Sequence, residues 1–574
     1  MNRHASVLTR GGEAPATAGR PTALRGARHA VREPIPTYLS YVGGKDIDAE
    51  KYVYTVTTRS ILDDVFESLT LKRRLEQGRV RPEDAGDLVV GRVALADQET
   101  VEEASRAAAE AFREWSRWPQ EKRMELGAVL RRRIVEGCDD MVDVLIAEGN
   151  PRALAEWQVA GLLETFSEET LSWVGELMHR EFEHGGRRLL VRRRPDGVVC
   201  VNPPQNAPAS SALFGITALM AGNTVVVRAP RSAPFGVMYA LREFVVPALE
   251  EIGAPPGVLN VVCGRPGPMM RSWLESPYIN DILYIGSTEN GLTFQEECVR
   301  HGKKPVLELA GNDCVVVWRD ADLDLAVEAL TECFYGSGQI CMVPNQVLAH
   351  PAIADELLER LSAAVAKLRP GYPDEEGVLL SPVLRSERFF TVVKDALDKG
   401  ASLVHGARRL EADGSPSDTG LFLEPTVLRV DGMEKCREIE AVRRETFFPL
   451  LPVIVPEADT DEALLERFLD YVNSNPYGLR NSVWAGDEQV LGRFEREIDN
   501  GGLLKINDSH IGFLPYLPTH GGTGLTGGVF GEANYPMLRT SHLQGVSIAR
   551  GIRPHQAVFG AYDAVRAARA GATD

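Results

Sequence analysis

Short β-branched runs separated by helical stretches constrain this chain more than any other feature. Thr224–Val227 reads as a buried strand, Phe235–Ile252 as a helix, and Val258–Val262 and Ile282–Ile285 as further strands. The alternation restarts with strand Val315–Val317, helix Leu325–Tyr335, strand Gln346–Leu348 and helix Ala352–Leu368. Strands of this kind, apolar throughout and joined by helices, must be covered on both faces, which predicts parallel sheets in two doubly wound α/β units. Upstream, Val101–Arg133 and Leu145–Leu177 carry helical periodicity. Leu189–Val201 reads as an edge strand running into a core strand, with Arg192, Arg193 and Arg194 on its flank.

A chain of 574 residues has ample length for more than one domain. Its net charge of −18 argues against nucleic acid or an anionic membrane as partner, since both require positive potential. No apolar run reaches the ~20 residues that span a bilayer. The eight cysteines are scattered without a C-x-x-C pair, against a metal site or disulfide framework and in favour of a reducing cytoplasm. Residues 1–35, rich in Ala, Gly, Arg and Pro without apolar periodicity, read as a disordered extension. Residues 547–574 form a C-terminal tail with an Ala/Arg-rich helical stretch.

Two segments carry chemistry. In Gly336-Ser337-Gly338-Gln339-Ile340-Cys341 a thiol follows a small turn, expected to be flexible, from which it can attack a carbonyl carbon. In Leu307-Glu308-Leu309-Ala310-Gly311-Asn312 a carboxylate lies among apolar residues, which is expected to raise its pKa and suit it to act as a base. Either segment alone is equally consistent with a buried thiol and a structural carboxylate.

Together with seven other segments they resemble the aldehyde dehydrogenase superfamily, from about Asp97 to Leu543. The others are Pro204-Gln205-Asn206, Gly222–Arg228, Pro255–Val262, Gly286-Ser287-Thr288 with Gly291, Asp320–Asp324, Glu445-Thr446-Phe447 with Pro449, and Tyr477-Gly478-Leu479. Chance matches do not keep the family's order.

The resemblance implies a dinucleotide-binding domain over 36–172 and 196–308 and a catalytic domain over 309–508. It also implies a small β flap, 173–195 with 509–546, through which subunits pair as a homodimer or homotetramer. It implies Cys341 as nucleophile, Glu308 as general base, and the Asn206 amide and Cys341 N–H as oxyanion donors. It assigns the cofactor to Arg228, Arg231, Gly286, Ser287, Gly291, Leu309, Glu445 and Phe447. No metal is expected. The implied reaction is oxidation of an aldehyde to a carboxylic acid with NAD(P)+. Alternatives are a thioester-forming relative and a non-catalytic binding subunit; the presence of Glu308 favours hydrolysis.

Departures from the family's pattern add two expectations. Arg stands at 231 where NAD-preferring members have Glu, and at 228 where Lys is frequent. Two guanidinium forks suit a 2′-phosphate, so NADP is favoured over NAD. Ala and Ser dominate Asn206–Leu213 where many relatives are bulky, so the tunnel is expected to be wide or to be closed by another element. Ala310 and Gln346 depart from a glycine and an arginine beside the site.

Overall fold

A computed structural model describes residues 27, 29–30, 35–531 and 535–570. Of the N-terminal extension, residues 1–26 lie outside that set. The described part of it is packed rather than loose: Ala27, Ala30 and Ile35 are buried, and the His29 N–H donates to Glu243 at 3.1 Å.

Two seven-stranded sheets form the body. The first runs in the order Lys304–Glu308, Asp281–Ile285, Val198–Asn202, Thr224–Pro230, Leu259–Gly264, Ser40–Val42, Lys45–Ile47. Its first five strands are parallel, and the last two add on antiparallel. The second runs Ser402–His405, Thr426–Asp431, Leu450–Val455, Gln346–Ala349, Cys314–Val317, Arg480–Trp484, Leu503–Ile506 and is parallel except for its first strand.

Side-chain alternation along each strand feeds two cores per sheet. Val225 and Val227 enter one apolar cluster while Val226 enters another. In the second sheet Val315 and Val317 enter one cluster, and Cys314 and Val316 the opposite one. Every residue of Thr224–Pro230 is consequently buried.

The expected helices are present with internal breaks. Val101–Arg133 falls into Gln98–Trp115 and Gln120–Glu136, separated before Pro119. Phe235–Glu251 is helical throughout, but Ala240–Val245 is a wider π turn. Pro247 follows it and has no N–H to complete the regular ladder.

The small sheet pairs His179–His184 and Ser541–Ala549 with the central strand Arg187–Pro195. Its bounds differ from the expected flap. Residues up to Met178 are helical, and the returning strand runs past 546 into the tail. Segment 509–531 does not join that sheet; Phe513, His520 and Leu525 line the main cavity instead. Helix Pro554–Ala570 closes the described chain, with Val558, Phe559, Tyr562 and Val565 exposed along it.

One unit had no counterpart in the sequence reading. Strands Thr37–Tyr38, Val89–Ala94 and Tyr52–Val56 form a three-stranded sheet, and helices Thr58–Asp63 and Val65–Glu76 pack beside it. Among the described residues no helix is long and apolar enough to cross a membrane.

Candidate active site

In the first sheet the strand order reverses between Val198–Asn202 and Asp281–Ile285, a point outside whose carboxyl ends α/β sheets bind ligands. A cavity of about 1220 Å³ opens there, lined by Asn202, Gly286, Ser287 and Glu308 from these strand ends. Its opposite wall comes from segments that precede strands of the second sheet: Gln339–Met342 before Gln346–Ala349, and Arg443–Phe447 before Leu450–Val455.

The turn before the thiol is packed rather than flexible. Gly336, Ser337 and Gly338 are buried, and all three have positive φ. A Cβ at Gly338 would overlap the Phe448 carbonyl, so only glycine fits there. Ser337, at φ 57°, is held by reciprocal bonds: its hydroxyl donates to the Ser381 carbonyl at 2.6 Å and accepts from the Ser381 N–H at 3.0 Å.

Cys341 Sγ donates to Glu308 Oε1 at 3.5 Å. The other carboxylate oxygen, Oε2, lies 2.9 Å from His520 Nδ1. Glu308 differs from the sequence expectation. Burial raises its pKa, but His520, the Cys341 thiol and Arg480 together outweigh burial and hold it below the usual carboxylate value. The Cys341 thiol is raised well above its ordinary value by burial and by the negative charges of Glu308 and Glu445, with Arg480 opposing.

Arg480 is fully buried and donates to the carbonyls of His510 and Thr519, each at 2.6 Å. It thereby fixes the segment that carries His520. Sequence reasoning passed over Arg480, although a cation inside a strand after Tyr477-Gly478-Leu479 is a signal in itself. Asn206 Nδ2 donates to the Gln339 carbonyl at 2.9 Å, which leaves its second N–H for another acceptor.

The cofactor assignments divide. Arg228, Gly286, Ser287, Leu309, Glu445 and Phe447 line the cavity; Arg231 and Gly291 are not part of its lining. A Cβ at Gly291 would overlap Leu309, so this glycine serves close packing of its helix. Arg228 does not present an open fork. It donates to Asn202 Oδ1 at 2.6 Å and to the carbonyls of Pro203 at 3.1 Å and Gly264 at 3.3 Å. Arg231 pairs with Glu76 at 3.4 Å.

The residues present fit a dinucleotide on two observations. Helix Thr288–Arg300 points its N-terminal end into the cavity, where Ser287 makes no side-chain cap and the first N–H groups suit a pyrophosphate. Glu445 is a half-buried carboxylate that accepts only weakly from the Gly311 N–H, at 3.2 Å, and desolvation at the cavity wall pushes its pKa up to about 8.

The remaining wall is aromatic. Trp157 and Phe513 ring centroids are 5.7 Å apart, Phe513 and His520 5.6 Å, and His520 and Phe214 4.3 Å. Ser210 and Ser211 also line the cavity. The small side chains after Asn206 are thus met by aromatic rings from other elements. Gln346 lies behind the site, bridging Tyr471 O–H at 2.5 Å and the Asn312 carbonyl at 3.1 Å. The Ala310 carbonyl accepts from Thr526 at 2.8 Å.

Residues 79–539 match the model of the aldehyde dehydrogenase family, and the chain belongs to that family. A glutarate-semialdehyde dehydrogenase of Pseudomonas putida is 31% identical over 71% of this chain and 82% of its own length. The NADP(+) succinate-semialdehyde dehydrogenase of Escherichia coli is 31% identical over 66% of this chain and 75% of its own. Among solved structures, a succinate-semialdehyde dehydrogenase from Burkholderia pseudomallei has the same fold, with a TM-score of 0.73 and 24% identity over 93% of this chain and all of the other. This chain is an NAD(P)-dependent enzyme that oxidises an aldehyde to a carboxylic acid.

Proposed function

We propose that Cys341 is the nucleophile and Glu308 the base of this oxidation, a reading carried by the 3.5 Å contact between them. Sγ attacks the aldehyde carbon as Glu308 takes the thiol proton, giving a thiohemiacetal on Cys341. The second Asn206 N–H and the Cys341 backbone N–H stabilise its oxyanion. When bound, NAD(P)+ supplies the hydride acceptor that converts this adduct to a thioester. Glu445 would accept from the nicotinamide ribose, with Phe447 beside it, and Gly286, Ser287 and the following helix start would hold the pyrophosphate. Glu308 passes the thiol proton to solvent and then takes one from water, whose oxygen attacks the thioester carbon; the C–S bond breaks, Cys341 sulfur leaves as the thiolate, and free acid is released. A thioester-forming enzyme would release acyl-CoA in place of acid, and an assay of product from wild type with and without CoA separates the two.

NADP is the cofactor we favour, on grounds altered from the two-fork clamp. Lys72 and Arg231 stand together with Glu76, and Glu148 acts on Lys72 as a second acid; because burial pushes the Glu148 pKa up to about 7, the two cations beside the strand end are only partly offset. Arg228, committed to Asn202 and two carbonyls, contributes cavity wall rather than a free fork.

The aldehyde we favour is aromatic or otherwise bulky and apolar, because Trp157, Phe214 and Phe513 supply the surface it would bury. The relatives' names favour a second reading, a semialdehyde with a terminal carboxylate. A panel of benzaldehyde, succinate semialdehyde and acetaldehyde, followed by reduced-cofactor absorbance, decides between them; a preference for the semialdehyde would overturn the first reading.

Eight unpaired cysteines fit a reducing cytoplasm. Phe182, Val191, Leu543 and Ile548, exposed on the small sheet, fit subunit pairing through that flap into a homodimer or homotetramer.

A further inference from the structure

The carboxylate of Glu308 has a close neighbour on each side, a hydrogen-bond donor at one oxygen and an imidazole nitrogen in ion-pair range at the other. Oε1 accepts from the Cys341 thiol, and Oε2 faces His520 Nδ1 at 2.9 Å. His520 is itself fixed. Its side chain is 12% exposed, its ring packs against Phe214 and Phe513, and the preceding Thr519 carbonyl accepts from buried Arg480. A ring held this firmly limits the carboxylate to rotamers that keep one oxygen directed at the thiol.

We propose that His520 is a positioning residue for Glu308: its imidazole orients the carboxylate toward Cys341, the direction in which it accepts the thiol proton. The inference rests on the Cys341–Glu308 reading above. In the step concerned, the Sγ–C bond forms, the carbonyl electron pair moves to oxygen, and the thiol proton passes to Glu308 Oε1. Only an ionised carboxylate can receive it.

The groups bearing on this balance come from several elements. His520, Arg480 and the Cys341 thiol lower Glu308, and burial raises it. Asp313 is an acidic neighbour coupled to the same carboxylate, and Glu445 acts on the thiol from the opposite wall. Arg480 Nη1 and Nη2 donate to the carbonyls of His510 and Thr519, so it contributes charge to Glu308 without a hydrogen bond to the carboxylate. Orientation is left to His520. Without it, burial, the largest influence on Glu308, would be opposed only by the thiol and Arg480.

The test is the pH dependence of Cys341 alkylation by iodoacetamide in the full-length enzyme, with Cys341→Ala as the blank. His520→Phe keeps an aromatic ring against Phe214 and Phe513 but has no nitrogen, and His520→Gln keeps a donor without the ring. The acid limb is expected to shift to higher pH by at least one unit in His520→Phe, a tenfold loss of rate on that limb, with His520→Gln between it and wild type. Thermal unfolding of both variants establishes that they fold, and His520→Gln carries the test if His520→Phe does not. Coincident acid limbs in wild type and a folded variant would overturn the role of His520. Turnover surviving in Cys341→Ala would instead overturn the nucleophile assignment beneath it.

Discussion

Arg231 pairs with Glu76 at 3.4 Å, across 155 residues of sequence. Helix Val65–Glu76 thus carries an acid and Lys72 to the end of the strand where the adenosine ribose is proposed to lie. If Arg231 meets a 2′-phosphate, Glu76 competes with that phosphate for it. Glu76→Gln is expected to raise the ratio of kcat/KM for NADP over NAD, and Arg231→Glu to lower it. A charge-assisted bond contributes roughly 1.5–3 kcal/mol, so Arg231→Glu should cost about tenfold or more with NADP. Steady-state kinetics with both cofactors give the ratio, and a ratio unchanged in both variants would eliminate Arg231 as a phosphate ligand.

On the proposed reading, the contact of thiol and carboxylate gives Glu308 work before deacylation as well as during it. Cys341→Ala is expected to abolish formation of reduced cofactor. Glu308→Gln is expected to slow the pre-steady-state burst as well as turnover, by about 10²–10⁴-fold where base catalysis is lost. Stopped-flow absorbance separates the phases. A full-rate burst followed by slow turnover in Glu308→Gln would confine Glu308 to the hydrolytic half.

Trp157→Ala tests the aromatic wall. Losing half of a tryptophan's ~200 Å² of surface removes about 100 Å² of contact. At ~25 cal/mol per Å² that is about 2.5 kcal/mol, or roughly 70-fold in kcat/KM for an aromatic aldehyde. Acetaldehyde, which is too small to cover that area, should lose far less. Equal losses for both aldehydes would mean that Trp157 supports the fold rather than the substrate.

Glu148 offers a stability measurement independent of turnover. It accepts from the Phe235 and Gly236 N–H groups at 2.7 and 2.8 Å, and burial pushes its pKa from an ordinary 4.5 up to about 7. Between those values the folded chain binds the proton more tightly than the unfolded one. Its contribution is therefore fully present below the ordinary value and lost as pH rises through about 7, a change of about 3 kcal/mol. Glu148→Gln does not titrate, so its Tm relative to wild type should improve between pH 5 and pH 8. Parallel Tm curves would show that Glu148 is not buried in its neutral form.

The sheets were legible because strand burial follows a local rule. Val225, Val226 and Val227 are apolar because both faces of their sheet are covered, and that requirement is written in consecutive residues. Cys341 and Glu308 stood out for a different reason, the order of nine segments along the chain, since either short segment alone also suits a buried thiol or a structural carboxylate. The N-terminal sheet around Tyr52–Val56 was not legible, because its pairing with Val89–Ala94 depends on a partner strand well downstream. The same holds for the flexibility expected of Gly336–Gly338, which Phe448 and Ser381 remove from a distance.

Sequence by itself determined the parallel sheets, through residue type and near-neighbour spacing, and the family, through an ordered set of segments that includes those of Cys341 and Glu308. Tertiary structure alone decided the electrostatics around that pair. A run of leucines argues for a raised Glu308, yet its net environment comes from Arg480 and His520, both distant in sequence. Arg228 and Arg231 look alike as letters, but one is committed to Asn202 and two carbonyls while the other pairs with Glu76 through Nη2. A charge acts through the few ångströms around it in space, and only the folded chain brings those neighbours within reach.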